Sequence, residues 1–485
     1  MGAIVFYLSI LLFGLAGLTI LPVLAAIGGG DDRLAGLFLV SGLVIATLAG
    51  GLIAALRGLI RPLDRMGSLL LAVAAWPVLG LAAALPIAMS GAAGYGLAIF
   101  ETVSALTTTG FTTFAEPQDL PAAVILWRAA LQWYGGFLTL LMLVLVLAPL
   151  EAGGLPHRHV SLAGGTAPRQ RERIGRMTRI MVLAYLITSV ACLLWLVLSE
   201  VDPFEALALT FATVSTGGLA PRAAPIDAYV PPVGQIGLIV FMIVGATSVL
   251  WQGMIVRRDS HQLRRHRESY AVIVFAVVLG LVIAELYHLA AGRDLGAFGF
   301  ALREGLFAGA SLVSTTGFHV REESLSVLPP AAIVAVALIG GGAMSTAGGL
   351  KLFRLGVLIV HAERELGRSL FPHGVQKIRF GGHQWRGGVQ AIYTMVLSAV
   401  LVLTAAILVL SFSGMAFAPA ITAGVAALSN VGPIYGAGPD PAAPWPPVAA
   451  LSAPALVTLG VAMVLGRVEI VALFAVLNIA YWRRR

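Results

Sequence analysis

Four short phrases hold the residues best suited to chemistry in this chain. They read Leu-Thr-Thr-Thr-Gly-Phe at 106–111, Val-Ser-Thr-Gly-Gly-Leu at 214–219, Val-Ser-Thr-Thr-Gly-Phe at 313–318 and Leu-Ser-Asn-Val-Gly-Pro at 428–433. Aligned on Gly110, Gly218, Gly317 and Gly432, each places a hydroxyl residue three positions earlier (Thr107, Ser215, Ser314, Ser429). The glycines are 108, 99 and 115 residues apart, the period of an internal repeat. Glycine after small hydroxyl residues lets backbone adopt conformations that a side chain forbids and turn carbonyl oxygens towards an axis. Four such segments facing one another would make rings of carbonyls able to replace the water shell of a monovalent cation. A single Gly-Thr phrase is more readily an ordinary turn or a helix-packing patch, and it is the fourfold recurrence that reverses that preference in favour of the ion reading.

The elements that must position these phrases are membrane helices. Of 485 residues, 59% are hydrophobic and 11% charged, and mean hydropathy is +0.93, which excludes soluble globular classes. Ten apolar stretches (about 3–27, 33–56, 68–90, 123–149, 173–199, 230–256, 269–291, 330–360, 388–413 and 448–482) each suffice for a hydrocarbon core of about 30 Å. Continuous apolar runs of this length exclude a barrel, so the fold is expected to be an all-α polytopic membrane protein. The first stretch lacks a basic n-region and is read as a retained helix. Residues 1–66 form a helix pair without a phrase. Four units follow at 67–155, 156–260, 261–365 and 366–485. Each runs span, short segment (96–106, 203–214, 300–313, 416–428), phrase, span, and the short segments suit half-helices that enter and leave by one face. Units sharing one orientation can surround a single axis, giving a pseudo-fourfold pathway rather than an inverted-repeat transporter.

Of 31 Lys and Arg, 22 fall on one side of these spans, in the loops around Arg57–Arg65, Arg158–Arg179, Arg257–Arg267 and Arg364–Arg386 and at Arg483, Arg484 and Arg485. The positive-inside rule makes that side, with both termini, cytoplasmic. The net charge of +8 is therefore topology first, with anionic lipids or a cytoplasmic partner as possible readers, and no nucleic acid is implied. Cys192 is the only cysteine, so no disulfide forms within the chain.

Two further features stand inside spans. Gly340, Gly341, Gly342, Gly348 and Gly349, with Ser345 and Thr346, interrupt the third return span, and glycine disfavours helix interiors by roughly 1 kcal/mol each relative to alanine. The stretch is expected to unwind or kink the helix, against the simpler reading of close helix packing. Lys351 at its end either snorkels to the interface or takes part in gating. Arg467 stands mid-span, where a charge costs at least about 2.5 kcal/mol, so it must face protein or water. Glu469, two residues on, points to another face and is not its helical partner. Glu101, Glu205 and Glu304 fall early in the short segments, where the helix dipole favours acids and where they could also concentrate cations. His319 reads as an ordinary surface histidine or a sensor of outer pH.

The four phrases, together with Gly-Gly-Gly-Ala-Met-Ser-Thr-Ala-Gly-Gly-Leu-Lys at 340–351 and Leu-Gly-Arg-Val-Glu-Ile at 465–470, resemble the Trk/Ktr/HKT superfamily of potassium transporters, and most closely its bacterial Trk-type pore-forming subunits with an extra N-terminal helix pair. The resemblance spans essentially the whole chain. It implies potassium uptake across the bacterial inner membrane. The selectivity filter would comprise Thr107, Thr108, Thr109 and Gly110; Ser215, Thr216, Gly217 and Gly218; Ser314, Thr315, Thr316 and Gly317; and Ser429, Asn430, Val431 and Gly432. Potassium, the transported ion, would meet the backbone carbonyls of Thr107, Thr108, Ser215, Thr216, Ser314, Thr315, Ser429 and Asn430. The resemblance also implies a gate made of the 340–349 loop, Lys351 and a pore-facing Arg467. It further implies a homodimer and a cytoplasmic nucleotide-binding regulatory subunit, since the chain has no nucleotide-binding phrase of its own, and no bound organic cofactor. A sodium-permeable or proton- or sodium-coupled symporter of the same fold is the alternative within this class. An intramembrane enzyme has no Ser-His or His-Glu pair at shared depth to support it, and a transport-dead sensor is disfavoured by the intact glycines.

Overall fold

The structure is a computed structural model that describes residues 2–58, 63–147, 167–290, 298–321, 324–370, 379–380, 383–384, 389–436 and 445–477. Of the basic residues counted above, Arg61, Arg158, Arg293, Lys377, Arg386 and 483–485 lie outside these.

Among the described residues the regular structure is helical apart from two paired two-residue strands, Arg379–Phe380 and His383–Gln384. In order, α1 (Gly2–Leu18), α2 (Ile20–Gly28) and α3 (Asp32–Leu56) form the N-terminal pair, with α1 and α2 together long enough for one crossing. Unit one is α4 (Arg65–Ser90), α5 (Tyr95–Leu106) and α6 (Ala122–Met142). Unit two is α7 (Ala167–Leu198), α8 (Pro203–Ser215), α9 (Pro232–Ala246) and α10 (Val249–Val256), followed by a short α11 (Ser260–Arg265). Unit three is α12 (Arg267–Ala290), α13 (Phe298–Ser314), α14 (Pro330–Ile339) and α15 (Leu352–Leu370). Unit four is α16 (Val389–Phe412), α17 (Phe417–Leu428), α18 (Ala453–Val468) and α19 (Ile470–Val476). In each unit the first helix packs on the short second one: α4 on α5, α7 on α8, α12 on α13, α16 on α17.

Among the described residues, six helical stretches are long and apolar enough to cross a membrane, with α1 and α2 counted together as one. Three of the return stretches read from sequence as single spans are instead broken. The stretch 330–360 opens at 340–351, where no helix forms, as its glycines dictate. The stretch 230–256 bends by 109° between α9 and α10, where Thr247 and Ser248 leave the helical path. The stretch 448–482 breaks at Glu469 (φ 63°, ψ 110°), between α18 and α19. Broken backbone at such depth is tolerated where protein or a wet cavity surrounds it, and each break lies against another unit.

Apolar side chains such as Trp76, Leu79, Trp127 and Leu131 fill the core, yet others cover the surface and polar ones lie at the centre. Leu198, Phe412, Val457 and Leu24 face outward, as a lipid-covered surface requires, whereas Thr107, Thr108, Thr109, Ser215, Thr216, Ser314, Thr315, Thr316 and Asn430 are among the most deeply buried side chains. The N-terminal pair leans on unit one, where the Tyr134 hydroxyl of α6 donates to the Leu11 carbonyl (2.7 Å).

Candidate ion pathway

The four phrases begin at the C-termini of α5, α8, α13 and α17, and all four helices end alike. The N–H groups of Thr108, Thr216, Thr315 and Asn430 bond back to Ala105, Thr213, Leu312 and Ala427 (2.9, 3.1, 3.1 and 3.2 Å). The next N–H groups, of Thr109, Gly217, Thr316 and Val431, reach Ser104, Ala212, Ser311 and Ala426 (2.9, 2.7, 3.1 and 2.8 Å). This pair of bonds is the Schellman termination, which demands a left-handed residue at its turn. Thr108, Thr216, Thr315 and Asn430 occupy it with φ of 49°, 56°, 61° and 52°. Glycine is the usual occupant, and a β-branched residue there costs roughly 1–2 kcal/mol. Three strained threonines in equivalent places mark a site where the side chain is needed.

What those side chains touch lies one layer below. Thr108 Oγ1 accepts from Arg467 Nη2. Thr315 Oγ1 accepts from the Gly348 N–H (2.7 Å). Asn430 Nδ2 donates to Thr109 Oγ1 (2.9 Å) and to the Met463 carbonyl of α18 (2.8 Å). The Thr216 methyl rests on Gly245 of α9, where an added Cβ would lie 2.9 Å from it.

At their glycines the four phrases then touch one another in chain order, the last returning to the first. A Cβ added to Gly110 would fall 2.6 Å from the Gly217 oxygen, Gly218 lies against the Thr316 carbonyl, Gly317 lies against Pro433 (2.9 Å), and Gly432 lies against the Gly110 carbonyl carbon (2.6 Å). Gly110, Gly218 and Gly317 share a positive φ of 88°, 76° and 81°. Gly432 does not. Pro433 fixes the next φ and opens a 3-10 turn at Gly432–Tyr435, and the Gly432 N–H points at the Thr109 carbonyl (2.5 Å).

Below the ring stands a charged layer. Arg467, 4% exposed, donates Nε to the Thr107 carbonyl (2.5 Å), Nη1 to the Thr346 carbonyl (2.5 Å) and Nη2 to the Thr108 carbonyl (3.4 Å), so one guanidinium ties the first phrase to the glycine-rich stretch. That stretch folds into a loop necked at Gly340 (φ 66°) and Gly349 (φ 75°), whose backbones approach too closely for any side chain. Gly342 N–H bonds the Ala246 carbonyl and Val249 N–H bonds the Met344 carbonyl (both 2.9 Å), docking the loop into the α9–α10 break. Thr346 Oγ1 donates to the Gly245 carbonyl (3.0 Å) and Ser345 Oγ to the Gly342 carbonyl (2.6 Å). Lys351 does not reach outward: it is 6% exposed and its Nζ turns back to the Ala347 carbonyl.

Several partners here escape sequence reasoning. Glu469 pairs with Arg354 of α15 (2.7 Å), both buried, across the helix break. Glu268, on the first turn of α12, accepts the Ala343 N–H of the loop (2.5 Å). Their sequence signal is weak: charges at span edges, and the small polar run Gly245-Ala-Thr-Ser inside an apolar stretch.

Above the ring, a cavity of about 560 Å³ opens between the loops that follow the phrases, with Phe111, Phe318, Tyr435 and Trp445 among its walls and Arg128, Arg222 and His319 facing it. The acids do not line it. Glu101 sits in the middle of α5 rather than early, held by Arg128 (2.7 Å), the Thr112 hydroxyl (2.9 Å) and the Thr113 N–H (2.8 Å). Glu205 is bound by Arg222, and Glu304 accepts from Ser324 (2.7 Å). Arg222 also lies 5.4 Å from the Tyr229 ring, whose phenol is pushed well above its ordinary range by burial. These carboxylates brace the loops that surround the cavity.

Fold and site together define a polytopic membrane protein with four half-helices converging on one buried polar centre. Residues 40–289 and 294–480 match the family model described as "TrkH: Cation transport protein", and the chain belongs to that family. It is 29% identical over 424 residues to the Trk system potassium uptake protein TrkH of Escherichia coli strain K12, covering 85% of each chain. It is also 29% identical over 426 residues to the TrkH of Halomonas elongata, covering 86% of each. The solved structure of the potassium transporter TrkH from Vibrio parahaemolyticus superposes with a TM-score of 0.87 at 27% identity, covering 99% of each chain. This is a family of cation transport proteins, not an enzyme class.

Proposed function

We propose that this chain carries potassium inward across the cytoplasmic membrane, with the four phrases as its selectivity filter. The observation that carries this reading is the fourfold recurrence of one left-handed helix termination, with the phrases touching in chain order and the last returning to the first. Four helix C-termini there add partial negative charge, and carbonyls of Thr107, Thr108, Ser215, Thr216, Ser314, Thr315, Ser429 and Asn430 would substitute for ion hydration. The names of the relatives supply potassium as the ion. The membrane potential would drive uptake by about 2.3 kcal/mol per charge at 100 mV.

The loop 340–349, Lys351 and Arg467 would form the gate. Arg467 holds a positive charge against the innermost carbonyls of the first phrase while bonded to the loop. By the positive-inside rule the basic segments would put both termini in the cytoplasm, and they would dock a nucleotide-binding regulatory subunit and anionic lipids, with the chain acting as a homodimer. A sodium-permeable or coupled variant is favoured by one observation, the departure of Gly432 from the geometry of the other three glycines. The test is rubidium uptake into liposomes holding the purified chain, with potassium or sodium competing. Competition by potassium well ahead of sodium is expected, and equal competition would overturn the filter assignment.

A further inference from the structure

The carbonyl one residue outside each phrase glycine is taken up by a hydrogen bond, and the donors differ in an informative way. In unit one, Ser104 Oγ of α5 donates to the Phe111 carbonyl (2.7 Å), and in unit three Ser311 Oγ of α13 donates to the Phe318 carbonyl (2.6 Å). Both serines stand six residues before their glycine. The same place in unit two is Ala212 and in unit four Ala426, neither of which has a donor. In unit four the 3-10 turn supplies one, the Gly436 N–H to the Pro433 carbonyl (3.1 Å). In unit two it comes from another unit. Gln132 of α6, fully buried, donates Nε2 to the Leu219 carbonyl (3.2 Å) and accepts the Leu219 N–H at Oε1 (2.9 Å). Only one amide orientation satisfies both bonds. A Cβ on Gly217 would lie 2.9 Å from the Gln132 amide carbon, so the side chain lies flat against the phrase.

We infer that Gln132 is a specificity-determining positioning residue: its amide clamps the second phrase from both sides of Leu219 and, with Ser104 and Ser311, fixes the width of the ring at its outer end. This rests on the filter reading above. A carbonyl held by a buried donor keeps its place when a smaller ion arrives, whereas a released one can swing inward and coordinate that ion at closer range. Loosening the ties therefore lowers discrimination against sodium more than it lowers throughput. Unit two depends most on a tie from outside itself, because its phrase has glycine at 217 where units one and three have a hydroxyl that bonds within the phrase, Thr107 to Thr109 and Ser314 to Thr316 (each 2.8 Å).

The experiment compares potassium and sodium as competitors of rubidium uptake in liposomes holding the full chain or its variants. Gln132→Leu, of similar volume and without either bond, is expected to lower the potassium-to-sodium preference by about tenfold. Ser311→Ala, which removes one bond and few atoms, should lower it by about threefold, and Thr139→Ala, elsewhere on α6, should leave it unchanged. If Gln132→Leu does not fold, Ser104→Ala and Ser311→Ala carry the test alone. Variants that transport with the parent's preference would overturn the inference. A parent chain without preference would instead overturn the filter reading, so the two failures are distinct.

Discussion

The ring of phrases and the layer beneath it are built on opposite principles. The ring is uncharged, made of backbone, and written four times in the sequence with the same helix termination. The layer below is charged, made of side chains, and written once: Arg467, Lys351, Arg354, Glu268 and Glu469 have no fourfold counterparts. A desolvated ion needs equivalent ligands on all sides, which repetition supplies. A control element needs one part that can move against fixed surroundings, which repetition would defeat. The broken helices obey the same division. Their breaks at 247–248, 340–351 and 469 all fall in the lower layer.

Breaking the lower layer should have the largest consequences. Replacing Glu469 by Gln removes the carboxylate paired with Arg354, and breaking a buried ion pair by removing one partner typically costs about 3–5 kcal/mol. A marked fall in thermal stability in detergent is expected, and an unchanged melting point would mean the pair is not structural. Arg467→Ala removes a charge bonded to the Thr107 carbonyl, and two like unit charges about 8 Å apart at an effective dielectric of about 20 repel by about 2 kcal/mol. Basal rubidium flux should rise roughly thirtyfold, whereas unchanged or lost flux in a folded variant would show Arg467 to be a tie rather than a barrier.

The ring should respond differently, in selectivity before throughput. Gly110→Ser forces a side chain into a left-handed backbone 2.6 Å from the Gly217 oxygen, so discrimination against sodium should fall about tenfold, about 1.4 kcal/mol. A preserved ratio would sever the ring from selection. Thr315→Ala tests the join between the layers by leaving the Gly348 N–H without its acceptor. At about 1 kcal/mol for the lost bond, basal flux should rise about fivefold, with Thr315→Ser retaining the parent rate. Equal behaviour of the two variants would place the hydroxyl outside the gate.

Much of this was legible in the sequence because repetition is a one-dimensional signal. The period of the phrases marks out four units, and the glycines at 340–349 declare a break by composition alone. Arg467 stands out because a lone charge in an apolar stretch needs a partner. Its partners do not stand out, because they are carbonyls of Thr107, Thr108 and Thr346, and a carbonyl has no residue identity to read. The left-handed threonines were hidden for a related reason: threonine is a poor choice for that conformation, so propensity argues against what tertiary contacts impose. Glu101 misled by position, since its place in α5 was judged from the apolar pattern and its role was set by Arg128 on another helix. The bend between α9 and α10 required knowing that the loop of unit three docks there.

The contacts that close the ring also set an order of assembly. Asn430 reaches Thr109, Gly432 reaches the Thr109 carbonyl and Arg467 reaches Thr107, each across more than three hundred residues of chain. Such distant pairings form late, and membrane units arise one after another from the N-terminus during synthesis. The first phrase must therefore wait, incomplete, for the last helices to arrive. The same final unit that completes the ring also brings Arg467, so under the gating proposal the ring and the charge that would block it reach the membrane together.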